Sequence, residues 1–154
     1  NTQTFVAALQ YAFAAHDFGA SVTDGGYASL MIELVQNRAP TDALILLLDQ
    51  NYFMPQDWRR DHDQIRVDLE ERLTSLTQAM TQFCTCTGAA VVVNTLPPIT
   101  TPSAGFADMA TNGGAAYISA QVNQALASAA AANPQILLID TAQALSTLPG
   151  PARH

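Results

Sequence analysis

An unbroken apolar run that ends abruptly in polar residues is the feature that most constrains how this chain can fold. The run reads Asp42-Ala-Leu-Ile-Leu-Leu-Leu-Asp49-Gln-Asn51. A strand that is buried on both faces of a parallel sheet has this pattern, and its carboxyl end delivers polar residues into a ligand crevice. Segments 19–24, 89–94 and 135–140 resemble the run. We therefore predict strands at all four places.

The stretches between the predicted strands have the spacing of amphipathic helices. Helices are predicted over residues 4–15, 27–36, 58 or 60 to 83, and 115–132. In the longest of them, apolar residues recur every three or four positions and predict one buried stripe, formed by Ile65, Leu69, Leu73, Leu76, Met80 and Phe83. Alternating helices and strands are typical of an α/β fold. We predict a three-layer α/β/α domain with a mostly parallel sheet.

The whole chain, residues 1–154, is expected to form a single domain. A chain of 154 residues, 49% of them apolar, is long enough to bury one hydrophobic core. The chain enters its first predicted helix almost at once, so the central strand expected before that helix would lie ahead of Asn1. Alternatively, that strand would be reduced to the first few residues. Either the domain lacks its first strand or its flanking segments, or its sheet is built differently.

The charge balance argues against partners that are rich in phosphate groups. The chain has six arginines, no lysine and thirteen acidic residues, so its formal net charge is −7. Binding to nucleic acid or to anionic membranes needs a basic surface, and neither partner is expected. Apolar runs stay below the roughly 18 residues that cross a bilayer, and the N-terminus lacks the basic region of a signal peptide. A cytoplasmic location is the expectation.

Two short motifs contain residues that could bind a metal ion, but both have simpler explanations. Cys84 and Cys86 are too close for an ordinary disulfide and too few for a closed zinc site, so we interpret them as plain thiols at a helix end, with a redox or metal role as the alternative. Asp61-His62-Asp63 opens the longest predicted helix, where acidic residues cap free N–H groups. No metal site is predicted. No glycine-rich nucleotide motif follows a predicted strand, so no cofactor is predicted either.

Short polar signatures at the ends of the predicted strands resemble those of an SGNH-hydrolase-like domain. They are Asp24-Gly25-Gly26, Asp49-Gln50-Asn51, Asn94-Thr95-Leu96-Pro97-Pro98 and Asp140. More narrowly, the chain resembles the N-terminal domain of FkbH-like proteins. These are HAD-superfamily enzymes of polyketide pathways that load a glyceryl unit onto an acyl carrier protein. The resemblance implies an SGNH- or flavodoxin-like fold and, as partners, an acyl carrier protein or an adjacent HAD-type domain.

The resemblance also assigns candidate catalytic residues. Thr2 takes the place of the nucleophilic serine, Asn51 that of the asparagine that donates to the oxyanion, and His154 that of the catalytic base. Proline at position 151 replaces the aspartate that would orient this base, and Asp49 replaces a glycine beside the oxyanion, where a negative charge opposes the chemistry.

The crevice at the strand ends is also predicted to bind a ligand. Gly25 or Gly26 stands where a backbone N–H would complete an oxyanion hole, with an ordinary turn as the alternative. The ligand-binding residues implied at this edge are Gly25, Gly26, Asp49 and Asn94. The Asp-x-Asp nucleophile pair of a HAD enzyme, which follows a strand, is absent from the sequence.

Two functions follow from these observations. The incomplete triad favours an accessory domain that recognises a carrier protein or a neighbouring domain; the alternative is an esterase or acyltransferase that uses Thr2, Asn51 and His154. Carrier proteins are typically acidic and bind basic patches, but this chain is itself acidic, which argues against a carrier protein as partner. Aromatic and arginine residues often form the centre of an interface, and the predicted partner-binding residues are Tyr52, Phe53, Trp58, Arg59 and Arg60. The alternative is that these aromatic side chains fold over the core.

Overall fold

A computed structural model describes residues 2–25, 30–36, 40–58, 60–97 and 114–147. The chain divides into two compact units, Asn1–Asn37 and Arg38–His154. The first unit contains helix α1 (Thr2–Ala15) and the short helix α2 (Leu30–Gln36). Both helices were predicted from the sequence with similar bounds.

The strand predicted over residues 19–24 is not formed. This segment is irregular, and all its residues except Val22 are exposed. Its only strongly apolar side chain is that of Val22, among Gly, Ala, Ser, Thr and Asp residues. A strand of a parallel sheet is stabilised by burial on both faces, and this composition offers too little apolar surface for that. The prediction of a strand here was wrong.

The second unit alternates strands and helices. In chain order it contains β1 (Ala43–Leu46), a 3-10 helix (Gln50–Tyr52), α3 (His62–Thr87), β2 (Ala90–Asn94), α4 (Ala115–Ala132), β3 (Ile136–Ile139) and α5 (Thr141–Ser146). The helix α5 was not predicted from the sequence. Asp140 caps it by accepting a hydrogen bond from the backbone N–H of Gln143, 3.1 Å away.

The three strands of this unit form a parallel sheet in the order β1-β2-β3. Leu46 pairs with Val93, and Val93 pairs with Leu138, so these side chains lie in one row on one face. Val91 and Val93 are fully buried on that face. The coarse prediction of an α/β fold with a parallel sheet is confirmed.

Helix α3 begins and ends with recognisable caps. The carboxylate of Asp61 accepts a hydrogen bond from the N–H of Asp63, so this acidic motif caps the helix as predicted. Gly88 ends the helix with a φ of +74°, a left-handed conformation that glycine adopts without steric cost. The predicted stripe is buried along its full length.

Helix α4 has the bounds that the sequence predicted. Ile118, Val122 and Leu126 are completely buried, and α4 packs against both α3 and β3. Since α3 also contacts β2 and β3, the two helices cover the same face of the sheet. Among the helices in the described part of the chain, none combines the length and the apolar character that a membrane crossing needs.

Candidate functional site

The carboxyl ends of the three strands meet at one edge of the sheet, because the strands are parallel. In α/β folds, ligands bind in the crevice outside this edge. Three of the polar residues singled out from the sequence lie here: Asp49 follows β1, Asn94 ends β2, and Asp140 follows β3. The hydrogen bonds of these side chains show whether they bond to the chain itself or are available to a ligand.

The side chain of Asn94 joins the ends of two strands. Its Oδ1 accepts a hydrogen bond from the N–H of Leu48 at 2.6 Å, and its Nδ2 donates to the carbonyl oxygen of Leu48 at 3.2 Å. The same nitrogen also donates to the carbonyl oxygen of Thr95. The amide thus replaces a backbone pairing partner just beyond β1 and extends the contact between β1 and β2.

Asp49 and Asn51 lie close together after β1, and the hydrogen bond between them stabilises only the local turn. The carboxylate of Asp49 accepts a hydrogen bond from the backbone N–H of Asn51 at 2.8 Å and caps the 3-10 helix. Both residues are exposed. Asp49 therefore holds the turn that leads out of the sheet.

Two further residues at this edge were not singled out from the sequence. Asn123 of α4 accepts from the N–H of Leu96 at 2.7 Å and donates to the carbonyl oxygen of Leu96 at 3.0 Å. Thr141 donates to the carbonyl oxygen of Thr95 at 2.6 Å, and its N–H donates to the Thr95 hydroxyl. These bonds fasten the chain after β2 to α4 and α5. A single asparagine or threonine in a helical pattern carries no sequence signal for such a contact.

The predicted partner-binding aromatic residues in the loop between β1 and α3 differ in exposure. Phe53 is only 3% exposed, so for this residue the alternative applies, in which the aromatic side chain folds over the core. Its ring meets the ring of Tyr52 edge to face, with centroids 5.0 Å apart. Tyr52 and Trp58 remain 44% and 45% exposed. Arg72 of α3 donates to the carbonyl oxygen of Tyr52 at 3.0 Å and ties the loop to the helix.

Arg60 has an ionic partner within the chain. Its guanidinium lies 2.7 Å from the carboxylate of Asp68, and both side chains are partly exposed. Asp68 also accepts a hydrogen bond from Gln64 at 2.9 Å. The bond from Gln64 and the bond from Arg60 hold the pKa of Asp68 below its usual value. Arg59 lies outside the described residues. We define the aromatic–arginine surface as Tyr52, Trp58 and Arg60.

The other predicted site residues lie mostly outside the described part of the structure. Thr2 is the first residue of α1, but its side chain is not described, and Gly26 and His154 are outside the described ranges. A Cβ atom at Gly25 would lie 3.0 Å from the side chain of Glu33. Glycine at this position therefore permits a close approach between two parts of the first unit.

The two cysteines differ in environment, and neither is in a disulfide. Cys84 is buried in the last turns of α3, whereas Cys86 is exposed. Burial raises the pKa of the Cys84 thiol. In the described ranges, no group of three or more His, Cys, Asp or Glu side chains could hold a metal ion.

A shallow groove of about 630 Å³ runs between α3 and α4 on the second unit. Its lining consists of small, apolar or uncharged side chains: Leu73, Thr74, Thr77, Gln78, Thr81, Gln82, Ala125, Ser128, Ala129 and Ala132. The hydroxyls of Thr77 and Thr81 donate to backbone carbonyl oxygens one turn earlier in α3. Among the described residues that line the groove, there is therefore no acid, base or activated nucleophile.

Comparison of the chain with protein families, with curated proteins and with solved structures finds no match.

Proposed function

We propose that this chain is an accessory, non-catalytic domain that recognises another protein in a glyceryl-transferring pathway of polyketide biosynthesis. In this proposal it is a three-layer, SGNH-like domain that corresponds to the N-terminal domain of FkbH-like proteins. Its partner is an acyl carrier protein or an adjacent HAD-type domain. The assignment to this family and pathway rests on the polar signatures that follow β1, β2 and β3 and on the order of helices and strands in the sequence. The fourth signature, which begins at Asp24, does not follow a strand.

The polar groups at the carboxyl edge of the sheet support a non-catalytic role. A general base or an oxyanion donor must have a free lone pair or N–H group directed at the substrate. The oxygen of the Asn94 amide accepts from the N–H of Leu48, and its nitrogen donates to the carbonyl oxygens of Leu48 and Thr95. Both N–H groups of this amide thus bond to the chain's own backbone and not to an oxyanion.

The observation that carries the proposal is the aromatic–arginine surface. Tyr52 and Trp58 are nearly half exposed. The turn that carries Tyr52 is fixed by the buried Phe53, the Asp49 cap and the bond from Arg72. Large aromatic side chains on a fixed loop bury much area at a low cost in conformational entropy, which is why they often dominate binding energy. This loop is therefore suited to contact another protein.

The proposal is tested by isothermal titration calorimetry of the chain with an acyl carrier protein and with a HAD-type domain. Truncating an interface aromatic typically weakens binding by tenfold or more, about 1.4 kcal/mol, and this is the effect expected for Trp58→Ala and Tyr52→Ala. The matched control is Tyr11→Ala on α1 of the first unit, an aromatic residue that is 78% exposed and is not among those that define the surface. The proposal fails if the wild-type chain binds neither partner, or if Trp58→Ala binds as tightly as the control.

A further inference from the structure

The charges around the aromatic–arginine surface are not those of a basic patch. Residues 57–63 contain three aspartates, Asp57, Asp61 and Asp63, but only two arginines. Because Asp68 lies 2.7 Å from Arg60, the charge of that arginine is already matched within the chain. Arg72 adds a further positive charge, because its guanidinium donates to the carbonyl oxygen of Tyr52. Four carboxylates, Asp57, Asp61, Asp63 and Asp68, then stand against the three arginines Arg59, Arg60 and Arg72, so the balance is slightly acidic, in line with the net charge of −7.

An acidic partner would meet two costs at this surface. It would approach the carboxylates of Asp61 and Asp63, both exposed at the start of α3, and like charges brought together at an interface oppose binding. To use Arg60, it would also have to displace Asp68, which is held by Gln64 as well.

A cationic partner meets none of these costs and gains from the aromatic rings. The faces of tryptophan and tyrosine rings attract guanidinium and ammonium groups through their quadrupoles. Trp58 lies three residues before Asp61 in the sequence, and both residues are exposed. An arginine side chain can stack on such a ring while it pairs with a carboxylate.

We propose that the partner of the aromatic–arginine surface contributes arginine or lysine side chains, which stack on Trp58 and pair with Asp61 and Asp63. This inference rests on the proposed function, because it specifies the chemistry of the partner at the same surface. It favours a domain with a basic patch, such as a HAD-type domain that has one, over an acidic carrier protein. Arg60 then opposes binding rather than promoting it.

Two charge substitutions test the inference by the direction in which they change binding affinity. The affinity is measured in titrations with the same HAD-type domain and carrier protein, at low and high salt. Arg60→Gln is expected to tighten binding, because it releases the carboxylate of Asp68, and Asp63→Asn is expected to weaken it. Exposed charge pairs of this kind change affinity by about two- to fivefold, and both effects should shrink at high salt. Asp42→Asn removes an exposed carboxylate just before β1, at the opposite end of that strand from the surface, and is the control that should change nothing.

The outcomes separate this inference from the proposed function. If Trp58→Ala weakens binding but Arg60→Gln also weakens it, the partner is acidic at this surface and the inference is overturned, while the proposed function stands. The inference is also overturned if Asp63→Asn strengthens binding. If neither protein binds the wild-type chain, the proposed function itself is wrong and the inference falls with it.

Discussion

Phe53 and Tyr52 are neighbours in the sequence but have opposite environments. Phe53 fills the core at 3% exposure, and Tyr52, 44% exposed, packs edge to face on its ring. The sequence could not distinguish the two, because both are aromatic residues in a loop without helical or strand periodicity. Only the path of the loop, set by the Asp49 cap and the bond from Arg72, decides which ring points inward.

Cys84 and Cys86 lead to a prediction about thiol reactivity. The thiolate is the reactive form of cysteine, and burial both shields Cys84 and raises its pKa. In the native protein, an aromatic disulfide reagent at neutral pH should therefore modify Cys86 quickly and Cys84 only after unfolding. Absorbance should report one fast thiol per chain, and Cys86→Ser should remove it. Two thiols that react at the same rate in the folded protein would contradict the structure.

Among the helices and strands, the sequence predicted best where one periodicity continues for many residues. The buried stripe of α3 follows directly from the spacing of its apolar residues. The end of α4 follows from Asn133-Pro134, a pair that terminates a helix. The six-residue helix α5 is too short to establish such a pattern. The segment 19–24 has turn residues at its ends but lacks the apolar content of a buried strand.

The end of β2 shows why site residues are harder to predict than helices. A polar residue after an apolar strand is expected at a ligand site, but it can also satisfy a neighbouring backbone. Asn94 bonds to the N–H and carbonyl groups of Leu48, which lies 46 positions earlier. No local pattern in the sequence announces a contact across that separation.

This contact leads to a prediction about the stability of the sheet. Asn94→Ala leaves two backbone groups of the buried residue Leu48 without their partner, and an unsatisfied buried polar group costs about 1 to 3 kcal/mol. The free energy of unfolding, measured by urea denaturation, should fall by about that amount. Asn51→Ala, at an exposed position, is the control and should stay within about 0.5 kcal/mol of the wild-type chain. Equal effects from the two substitutions would mean that Asn94 does not join β1 to β2.

At the scale of the whole molecule, the α/β class was predictable but the function was not. The apolar runs of β1, β2 and β3 are each long enough to identify a strand, and their alternation with helices identifies the class. The predicted burial on both faces was wrong for β3, where Leu137 and Ile139 are exposed. The same architecture supports unrelated chemistries, so function must be argued from particular side chains. Here Asn94 and Asp49 bond to the backbone while the rings of Tyr52 and Trp58 remain exposed, and the proposal of a recognition role is based on these observations.

The measurement that tests the central claim most directly is a turnover assay on short acyl esters and on a glyceryl-loaded carrier protein. The wild-type chain is compared with Thr2→Ala, which removes the only hydroxyl that the resemblance to SGNH hydrolases offers as a nucleophile. A non-catalytic domain should release no product above the buffer rate, and the variant should be indistinguishable from it. Hydrolysis by the wild-type chain that disappears in Thr2→Ala would contradict the account and establish an enzyme with a rebuilt triad.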